Sequence, residues 1–361
     1  MYPTLETGSR PSPNSPLLGF WYPAIAASLV RPGKMKSQLL LGAPLVICRN
    51  QHGQPFALRD ICPHRGMPLS FGQFAGDRLE CSYHGWQFDM NGQCRHIPAL
   101  IEGGTLQPEK IGVTTYPCQE QDGYIWVYVP DASDTNTAVP EVPRLPLYSD
   151  QYRFLHISTM LKCTLDDGIV GLMDPAHGPF VHQSWFWRSR DSIHEKAKDF
   201  EPIPFGFRMK AHTPSRNSTL YKVLGFYGED VSTTIDFVLP NLRYEIIRCG
   251  SYWFSSRATV TPITENECRI DFCAAWNLFR WVPLSKTIFR LIARYFLDQD
   301  KRVMEQQAMG LRYKPAMMLI DDADTPAKWY YKLKAAQLAS RRNGTAFDHP
   351  LKGPVTLRWR S

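Results

Sequence analysis

The sequence predicts an α+β protein of two domains, an N-terminal all-β domain followed by a catalytic-type domain whose antiparallel sheet packs against a long C-terminal helix. Three observations support this prediction. The chain has 361 residues, more than double the usual size of one domain. Its first third consists of short apolar runs between turn residues, whereas a long helical pattern occurs toward the C-terminal end.

The all-β domain is predicted to extend over residues 18–135. Apolar runs of strand length, such as LLLGAPLVICRN and DGYIWVYVP, alternate here with Gly, Asn and Pro residues that favour turns. A polar, proline-rich segment at residues 1–17 precedes the domain, and we expect it to be flexible. A second such segment, at residues 131–146, shows no periodicity and is the candidate linker.

The second domain is predicted to cover residues 150–345. A mixed apolar stretch of helical length at residues 163–182 comes first. The runs FGFRMKAHT, TLYKVLGFYGE, VSTTIDFVLP and LRYEIIRCG then follow one another with short turns, which predicts an antiparallel meander. Residues 284–311 carry an apolar stripe of helical periodicity, without Gly or Pro before Gly310, so they are predicted to form one long helix.

The composition excludes some classes of protein. The formal net charge is +7, but Lys and Arg are scattered, which favours an acidic protein partner over nucleic acid. No signal peptide or membrane span is predicted. The most apolar helical segment, residues 281–296, contains Lys and Arg, so we expect it to pack on the core, with membrane-surface association as the alternative. The odd count of nine cysteines favours a reducing compartment and a cytoplasmic location.

Two turn-rich loops combine cysteine and histidine at a spacing that suits an iron–sulfur cluster. The motif CPH and the motif CSYH are separated by sixteen residues, and each supplies one thiolate and one imidazole. The four candidate ligands are Cys62, His64, Cys81 and His84. Two thiolates can hold one iron of a [2Fe–2S] cluster while two imidazoles hold the other, which raises the reduction potential above that of an all-cysteine cluster. Glycines at positions 66, 72 and 85 are expected to let backbone N–H groups approach the sulfurs.

A structural zinc ion is the alternative occupant of these loops. Two cysteines and two histidines can hold zinc tetrahedrally, but zinc ribbons and fingers favour two cysteines on one loop. The observed pairing instead resembles the Rieske motif, and the all-β setting agrees with that resemblance. Rieske domains occur in respiratory electron-transfer proteins, in small ferredoxins and in oxygenases, so the second domain must decide among them.

A candidate mononuclear iron site lies in the segment DPAHGPFVH of the second domain. His177 and His182 are five positions apart, a spacing at which a regular helix would not bring both rings together. Gly178 and Pro179 are therefore expected to break the helix and let both imidazoles turn to one metal. Two histidines with one carboxylate form the ligand set of non-haem iron(II) oxygenases, which leaves open positions for O2 and substrate.

The segment MDPAHGPFVH is similar to the iron-binding segment of the large subunits of Rieske non-haem iron oxygenases. The resemblance covers roughly residues 18–310 and implies that a carboxylate on the C-terminal helix completes the iron site. Asp298 and Asp300 are the candidates; they face opposite sides of a helix, and the sequence context of Asp300 matches the family better. The resemblance also implies that Asp174 connects the two iron centres, with His84 favoured over His64 as its partner across a head-to-tail homotrimer.

The sequence departs from the family pattern at one place. Relatives often carry an asparagine six or seven residues before the first iron histidine, where this chain has Gly171 and Val170. This leaves open which groups form hydrogen bonds near the iron. Asp166 and Asp167 are two acidic candidates for that role; the alternative is that they provide negative charge at a helix N-terminus. The acidic segment IDDADTP after residue 319 is expected to be a helix-capping loop.

The resemblance implies a terminal oxygenase with a [2Fe–2S] cluster and a mononuclear Fe(II). Electrons are expected from a separate ferredoxin or flavin reductase, since the chain has no Rossmann glycine fingerprint. The enzyme is expected to use O2 to hydroxylate or oxidatively demethylate an apolar, bulky ring substrate (sterol-, tetrapyrrole- or aromatic-like), monooxygenation being favoured over dioxygenation. Residues 321–334 are similar to the monooxygenase and demethylase branch. The alternative is a Rieske electron-transfer or redox-sensing protein without oxygenase activity.

Aromatic residues of the second domain suggest an apolar pocket, although most are expected to be plain core. These residues are Trp185, Phe186, Trp187, Phe205, Phe207, Tyr221, Phe226, Tyr227 and Trp253.

Overall fold

The structure is a computed structural model that describes residues 15–131, 138–149, 151–183, 190, 193–213, 231–278 and 284–361. The chain divides into two compact units, Met1–Arg144 and Leu145–Ser361. Most of the N-terminal segment expected to be flexible lies outside the described residues, as does the middle of the candidate linker. The domain limits given above stay predictions.

The first unit is built from strands, as the sequence predicts. The described strands form three antiparallel sheets with the orders β1-β11-β10, β2-β3-β4-β9 and β5-β6-β7-β8. Their bounds are β1 (Phe20–Ala26), β2 (Lys34–Leu40), β3 (Ala43–Arg49), β4 (Pro55–Arg59), β5 (Gln73–Phe74), β6 (Arg78–Glu80), β7 (Gln87–Asp89), β8 (Cys94–His96), β9 (Thr115–Tyr116), β10 (Cys118–Gln121) and β11 (Tyr124–Val129).

Two clusters of buried side chains hold these sheets together. All six residues of β11 are buried, because this continuous apolar strand lies at the centre of its sheet between β1 and β10. One cluster joins β1, β3 and β11 through residues such as Ile25, Ile47 and Val127. The other cluster contains Leu58 and Phe88 together with the cysteines of the two ligand loops, so the core of this unit anchors both loops.

The second unit contains an eight-stranded antiparallel sheet of order β12-β18-β17-β16-β15-β14-β13-β19. From β13 to β18 consecutive strands are neighbours, which confirms the predicted meander, while β12 and β19 form the two edges. The predicted run TLYKVLGFYGE lies outside the described residues. The bounds are β12 (Arg153–Leu161), β13 (Glu195–Ile203), β14 (Gly206–His212), β15 (Val231–Val238), β16 (Leu242–Cys249), β17 (Tyr252–Thr264), β18 (Glu267–Trp276) and β19 (Val355–Arg360).

Four α-helices of the described residues belong to this unit: α1 (Leu165–Met173), α2 (Gly178–Val181), α3 (Ser285–Leu311) and α4 (Thr325–Asn343). The long helix predicted at residues 284–311 is confirmed as α3, which packs along the edge strand β12. None of the described helices is long and apolar enough to span a membrane.

A buried ion pair ties α4 to α1. The Nζ of Lys334 lies 2.6 and 2.8 Å from the two carboxylate oxygens of Asp166, and the hydroxyl of Tyr330 donates to the same carboxylate at 2.6 Å. Asp167 accepts instead from the hydroxyl of the N-cap residue Thr164. Both aspartates lie in the first turn of α1, as expected for helix N-terminal charge, and these bonds are directed to α4 and to the cap.

The acidic loop lies directly before α4, as predicted, but its side chains do not cap the helix. Asp324 occupies the N-cap position, but its side chain makes no capping bond to the helix and accepts from the backbone N–H of Ile320 at 2.9 Å. Asp321 forms an ion pair with Lys328, and Asp322 accepts from the N–H of Arg358. The loop is therefore stabilised by bonds to its own turn, to the first turn of α4 and to β19.

Candidate metal centres

The two ligand loops of the first unit have the same backbone structure. In each loop the N–H of the cysteine bonds to the carbonyl five residues later, that of Met67 at 2.8 Å and that of Trp86 at 2.8 Å. The glycine between them donates to the carbonyl of the cysteine, with distances of 2.9 Å for Gly66 and 3.0 Å for Gly85. Both glycines have positive φ, 72° and 68°, which favours glycine at this turn position.

Backbone N–H groups approach a cysteine sulfur as expected, but they are not those of the glycines themselves. Gly66 and Gly85 donate to the carbonyls of their own loops, and Gly72 donates to the carbonyl of Leu69. The backbone N–H groups that face the Cys62 sulfur are those of His64 and Arg65. The glycines therefore shape the turns, and their neighbours supply the hydrogen bonds to sulfur that tune a cluster.

The four candidate cluster ligands lie together. The rings of His64 and His84 are 4.4 Å apart between centroids, and His64 stacks on Trp86 at 4.6 Å with an interplanar angle of 5°. Cys62 and Cys81 are both 2% exposed and belong to one cluster of buried residues. Burial, and then the Cys81 thiol beside it, raises the pKa of Cys62 to about 11.

These residues fit an iron–sulfur cluster. The Nδ1 atom of His64 is buried and has no hydrogen-bond partner in the described part of the chain. A buried polar atom without a partner is costly, and metal coordination removes that cost. The two buried thiols also suit metal binding, because a metal replaces their protons and binds the thiolates.

A second set of potential ligands lies in the other unit. Among the described residues, His177, His182 and Asp300 are the one group of three or more His, Cys, Asp or Glu whose ligand atoms all lie within 4.8 Å of one another. The Nε2 atoms of the two histidines are 3.1 Å apart. The Oδ1 of Asp300 lies 3.1 Å from Nε2 of His182 and 3.8 Å from Nε2 of His177.

These distances suit one first-row metal ion. Metal–nitrogen bonds of about 2.1 Å, the length found in zinc sites, place ligand atoms at right angles about 3 Å apart. Two imidazoles and one carboxylate on one side of the metal are the ligand set of non-haem iron(II) oxygenases. The donor set therefore fits a mononuclear iron.

The two histidines reach one point for a reason different from the expected one. Gly178 and Pro179 do not break a helix; they begin the one-turn helix α2, with the proline in its first turn. His177 is the N-cap residue of α2 and His182 is its C-cap residue. The two rings converge because they flank a single helical turn, with centroids 5.0 Å apart.

The third member of the set comes from α3. Asp300 is partly buried against the histidines, whereas Asp298, two positions earlier, is exposed. The residue between them, Gln299, places its Oε1 3.0 Å from Nδ1 of His182. Helix α3 thus contributes both a carboxylate at one nitrogen of this ring and an amide at the other.

Asp174 is held beside the first histidine. Its Oδ1 accepts from the N–H of Ala176 at 2.7 Å, and its Oδ2 lies 3.6 Å from Nδ1 of His177. Burial raises the pKa of Asp174, but the His177 side chain and the N–H groups of Ala176 and His177 lower it by more, so this pKa lies below its ordinary value. Burial lowers the pKa of His177, but Asp174 and Asp300 raise it by more.

The glycine at the departure from the family pattern has a steric role. A Cβ atom at position 171 would lie 2.7 Å from the sulfur of Met304 on α3. Gly171 therefore lets α1 approach α3 closely, one helical turn after Asp300. An asparagine at this position would displace Met304, so the departure is coupled to the packing of the two helices that carry the site.

A large cavity lies beside the three candidate ligands. Its volume is about 650 Å³, which is within the range of small-molecule sites. His177, His182 and Asp300 line it, and its lining extends over all eight strands from Leu155 on β12 to Trp359 on β19. Phenylalanines from the sheet and from α3 make most of this surface apolar.

Only part of the aromatic set predicted from the sequence can be placed. Phe207 lines the cavity, and Trp253 is buried in the unit. Phe205 is exposed and stacks on Phe347. The remaining members lie outside the described residues: Trp185, Phe186, Trp187, Tyr221, Phe226 and Tyr227.

Two family models match the chain, one in each half. The Rieske [2Fe-2S] domain matches residues 20–117, and the vanillate O-demethylase oxygenase C-terminal domain matches residues 171–345. Chlorophyllide a oxygenase from Chlamydomonas reinhardtii is 35% identical over 174 residues, which are 48% of this chain and 25% of that protein. The oxygenase component of dicamba O-demethylase from Stenotrophomonas maltophilia is 34% identical over 154 residues, 42% of this chain and 43% of that protein.

A solved structure has the same fold. NdmA of Pseudomonas putida with caffeine has a TM-score of 0.75 at 20% identity, covering 92% of this chain and 97% of that chain. The two halves thus define a protein with a Rieske iron–sulfur domain followed by an oxygenase domain. The chain belongs to the Rieske non-haem iron oxygenases, whose cofactors are a [2Fe–2S] cluster and a mononuclear iron. It spans less than half the length of the curated relatives given above.

Sequence reasoning missed Gln299. A glutamine in the middle of a polar helix carries no pattern that marks it, and its role depends on α2 lying against α3. The signal available in the sequence was its position directly before Asp300, although neighbours on a helix ordinarily face different directions.

Proposed function

We propose that the chain is the terminal oxygenase of a Rieske-type system, most suited to monooxygenation or oxidative demethylation of an apolar ring substrate. The observation that carries this proposal is the convergence of His177, His182 and Asp300 in the wall of an apolar cavity. An electron-transfer protein needs no substrate-sized cavity beside a second metal site. The chain also carries the Rieske loops that would feed such a site with electrons.

We assign the ligands as follows. Cys62, Cys81, His64 and His84 hold the [2Fe–2S] cluster, and the buried Nδ1 atom of His64 is one donor. His177, His182 and Asp300 hold the mononuclear iron. When bound, this iron supplies the activation of O2 at coordination positions that the three protein ligands leave open.

The protein groups around the iron position it and control water. Gln299 accepts from the Nδ1–H of His182, so that Nε2 presents its lone pair toward the ligand set. Asp174, with its pKa lowered, is the negative group beside Nδ1 of His177 and stabilises a proton there. The apolar side chains of Phe254, Phe272 and Phe289 line the cavity and exclude water from the substrate.

Asp174 is also assigned the connecting role that the resemblance implies. A carboxylate can bond one metal-bound imidazole and a second one at the same time. The partner in this assignment is His84 of the partner subunit in a homotrimer. Electrons are supplied by a separate ferredoxin or flavin reductase, and this assignment, like the partner of Asp174 and the homotrimer, rests on the resemblance alone. The proposed cytoplasmic location rests on the odd count of nine cysteines.

The proposed substrate class is supported by the cavity and by the relatives. The cavity volume of about 650 Å³ exceeds what a single small ring requires. The names of the relatives refer to ring compounds, namely chlorophyllide a, dicamba and caffeine. We therefore propose a substrate with more than one ring and an apolar body.

Incorporation of labelled oxygen tests the proposal. The holoenzyme is supplied with a surrogate ferredoxin and reductase, a panel of ring compounds and ¹⁸O2, and products are searched by mass spectrometry. We expect labelled product from the wild type and from His156→Ala, whose side chain faces away from the cavity because Leu155 faces it. His177→Ala is expected to keep the visible spectrum of the cluster and to lose the product. Cluster oxidation by a protein acceptor without any oxygenated product would support the electron-transfer alternative instead.

A further inference from the structure

An ion pair lies in the middle of the apolar cavity floor. Nη1 of Arg243 donates to Oε2 of Glu245 at 3.0 Å, and both side chains are about four-fifths buried, at 22% and 21% exposure. The two residues are two positions apart on β16, so they point to the same face of the sheet. Both residues line the cavity.

The neighbours of this pair on the adjacent strands are mostly apolar. Arg243 lies between Ala258 of β17 and Phe237 of β15, and Glu245 lies between Ser256 and Ile235 of the same strands. Strand β16 is the fourth of eight, three strand spacings from the edge strand β12 on which α3 packs. At about 4.8 Å per spacing the pair lies about 14 Å across the sheet from that edge.

The pair keeps unused hydrogen-bonding capacity. A guanidinium has five N–H donors and a carboxylate accepts several bonds. In the described part of the chain, the single hydrogen bond of either side chain is the one that joins them. Replacing a desolvated ion pair by apolar residues is often neutral for stability, so the sheet itself gives no reason to keep these charges in an apolar floor.

We propose that Arg243 and Glu245 recognise a hydroxyl group on a neutral ring substrate, at the end remote from the carbon that is oxidised. The hydroxyl oxygen accepts a hydrogen bond from Arg243 while its O–H donates to Glu245. A single hydroxyl group can therefore bond to both side chains. This inference rests on the proposed oxygenase function, whose substrate class it narrows from an apolar ring compound to a neutral ring alcohol.

The charge of the pair argues against an anionic substrate group here. Glu245 already neutralises Arg243, and its carboxylate would repel a second carboxylate placed beside it. Two lysines, Lys196 and Lys198, line the β13 end of the cavity. They donate to the hydroxyl of Ser361 at 2.7 Å and to the carbonyl of Thr213 at 3.3 Å. The alternative to a hydroxyl bound at Arg243 and Glu245 is therefore a substrate carboxylate bound at these lysines. The binding experiment below distinguishes the two.

Equilibrium binding to the oxidised holoenzyme, without reductase, tests the proposal separately from turnover. The probes are two matched sets of ring compounds: naphthalene, naphthol and naphthoate, and androstane with androstanol. Affinity is measured by quenching of tryptophan fluorescence and by calorimetry. We expect at least one alcohol to bind about 10-fold or more tightly than its parent hydrocarbon, because hydrogen bonds to charged groups are worth that much.

Two variants and one control locate the effect. The double variant Arg243→Met with Glu245→Gln removes both charges together and is expected to reduce the preference for the alcohol to within about 2-fold. The control is Arg208→Met with Asp236→Asn, which removes a bidentate pair with distances of 2.7 Å on the opposite face of the same sheet. The control is expected to keep the full preference.

The single variant Glu245→Gln is expected to increase an affinity, a result that misfolding cannot produce. It leaves Arg243 without its carboxylate, so naphthoate is expected to bind about 10-fold more tightly than it binds to the wild type. The proposal is overturned if the wild type binds no alcohol more tightly than its hydrocarbon, if the double variant keeps the preference, or if naphthoate binds the wild type most tightly. Loss of labelled product with this binding pattern intact would instead overturn the proposed oxygenase function alone.

Discussion

The amide oxygen of Gln299 lies 3.0 Å from Nδ1 of His182, on the side of the ring opposite to the atom that Asp300 approaches. An amide oxygen accepts a hydrogen bond, so this contact places the imidazole proton on Nδ1 and leaves Nε2 free to bind a metal. Consecutive residues of α3 therefore set the tautomer of the ring and complete the proposed ligand set.

Replacing Gln299 by Leu is expected to weaken binding of the mononuclear iron by about 10- to 100-fold, the usual effect of removing such an orienting partner. The measurement is iron retained during titration with a chelator, followed by the spectrum of a nitrosyl adduct. Gln307→Leu, an exposed glutamine on the same helix, is the matched control and should bind iron like the wild type. Equal iron affinity in the two variants would contradict the role of Gln299.

Substitution of the two aspartates of α3 is expected to affect the iron content of the protein differently. Asp300→Ala removes one of the three proposed ligands and should abolish binding of the mononuclear iron while the spectrum of the [2Fe–2S] cluster persists. Asp298→Ala removes an exposed charge and should leave the iron content unchanged. Metal analysis of both variants decides the question, and loss of iron from Asp298→Ala alone would reverse the assignment.

Assembly of the [2Fe–2S] cluster is expected to depend on Cys62 and not on other cysteines in the same hydrophobic core. Cys62→Ser should remove the visible absorption and the acid-labile sulfide, because a thiolate ligand is lost. Cys94→Ser provides the control, since Cys94 is fully buried in the same cluster of side chains. A coloured Cys62→Ser protein with normal sulfide content would exclude this residue as a ligand.

The buried pair of Lys334 and Asp166 is expected to stabilise the second unit. Each side chain is 3–4% exposed, so Lys334→Met alone leaves a buried carboxylate without its cation and should cost about 3–5 kcal/mol. The double variant with Asp166→Asn should be clearly more stable than this single variant. Thermal unfolding measures the difference between them.

The control for this pair is the exposed one formed by Lys352 and Asp348, whose side chains are 72% and 87% exposed. Lys352→Met should not change the unfolding midpoint, because exposed ion pairs contribute little. If Lys334→Met also left the midpoint unchanged, the connection between α4 and α1 would not be a source of stability.

The sequence predicted the features that depend on local pattern. Hydrophobic periodicity located α3 within one residue at its start, and strand-length runs separated by turns predicted the sheet from β13 to β18. The spacing of Cys62, His64, Cys81 and His84 predicted that these four side chains lie together, because each pair belongs to one short loop. Patterns of this kind need no knowledge of distant contacts.

The features that the sequence did not predict depend on contacts between elements. Gly178 and Pro179 were expected to break a helix, but proline is favourable in the first turn, so the same residues begin α2. The closeness of Gly171 to Met304 and of Gln299 to His182 requires α1, α2 and α3 to be packed. Alternation places Arg243 and Glu245 on one face, but only the assembled sheet shows that this face lines the cavity.

The central claim is that one chain holds two separate iron centres, and metal stoichiometry tests it most directly. We expect about three iron atoms and two acid-labile sulfides per chain in the reconstituted wild type. In the variant His177→Ala we expect about two of each, with the spectrum of the [2Fe–2S] cluster unchanged. About two iron atoms in both proteins, or zinc in place of the third iron, would contradict the account.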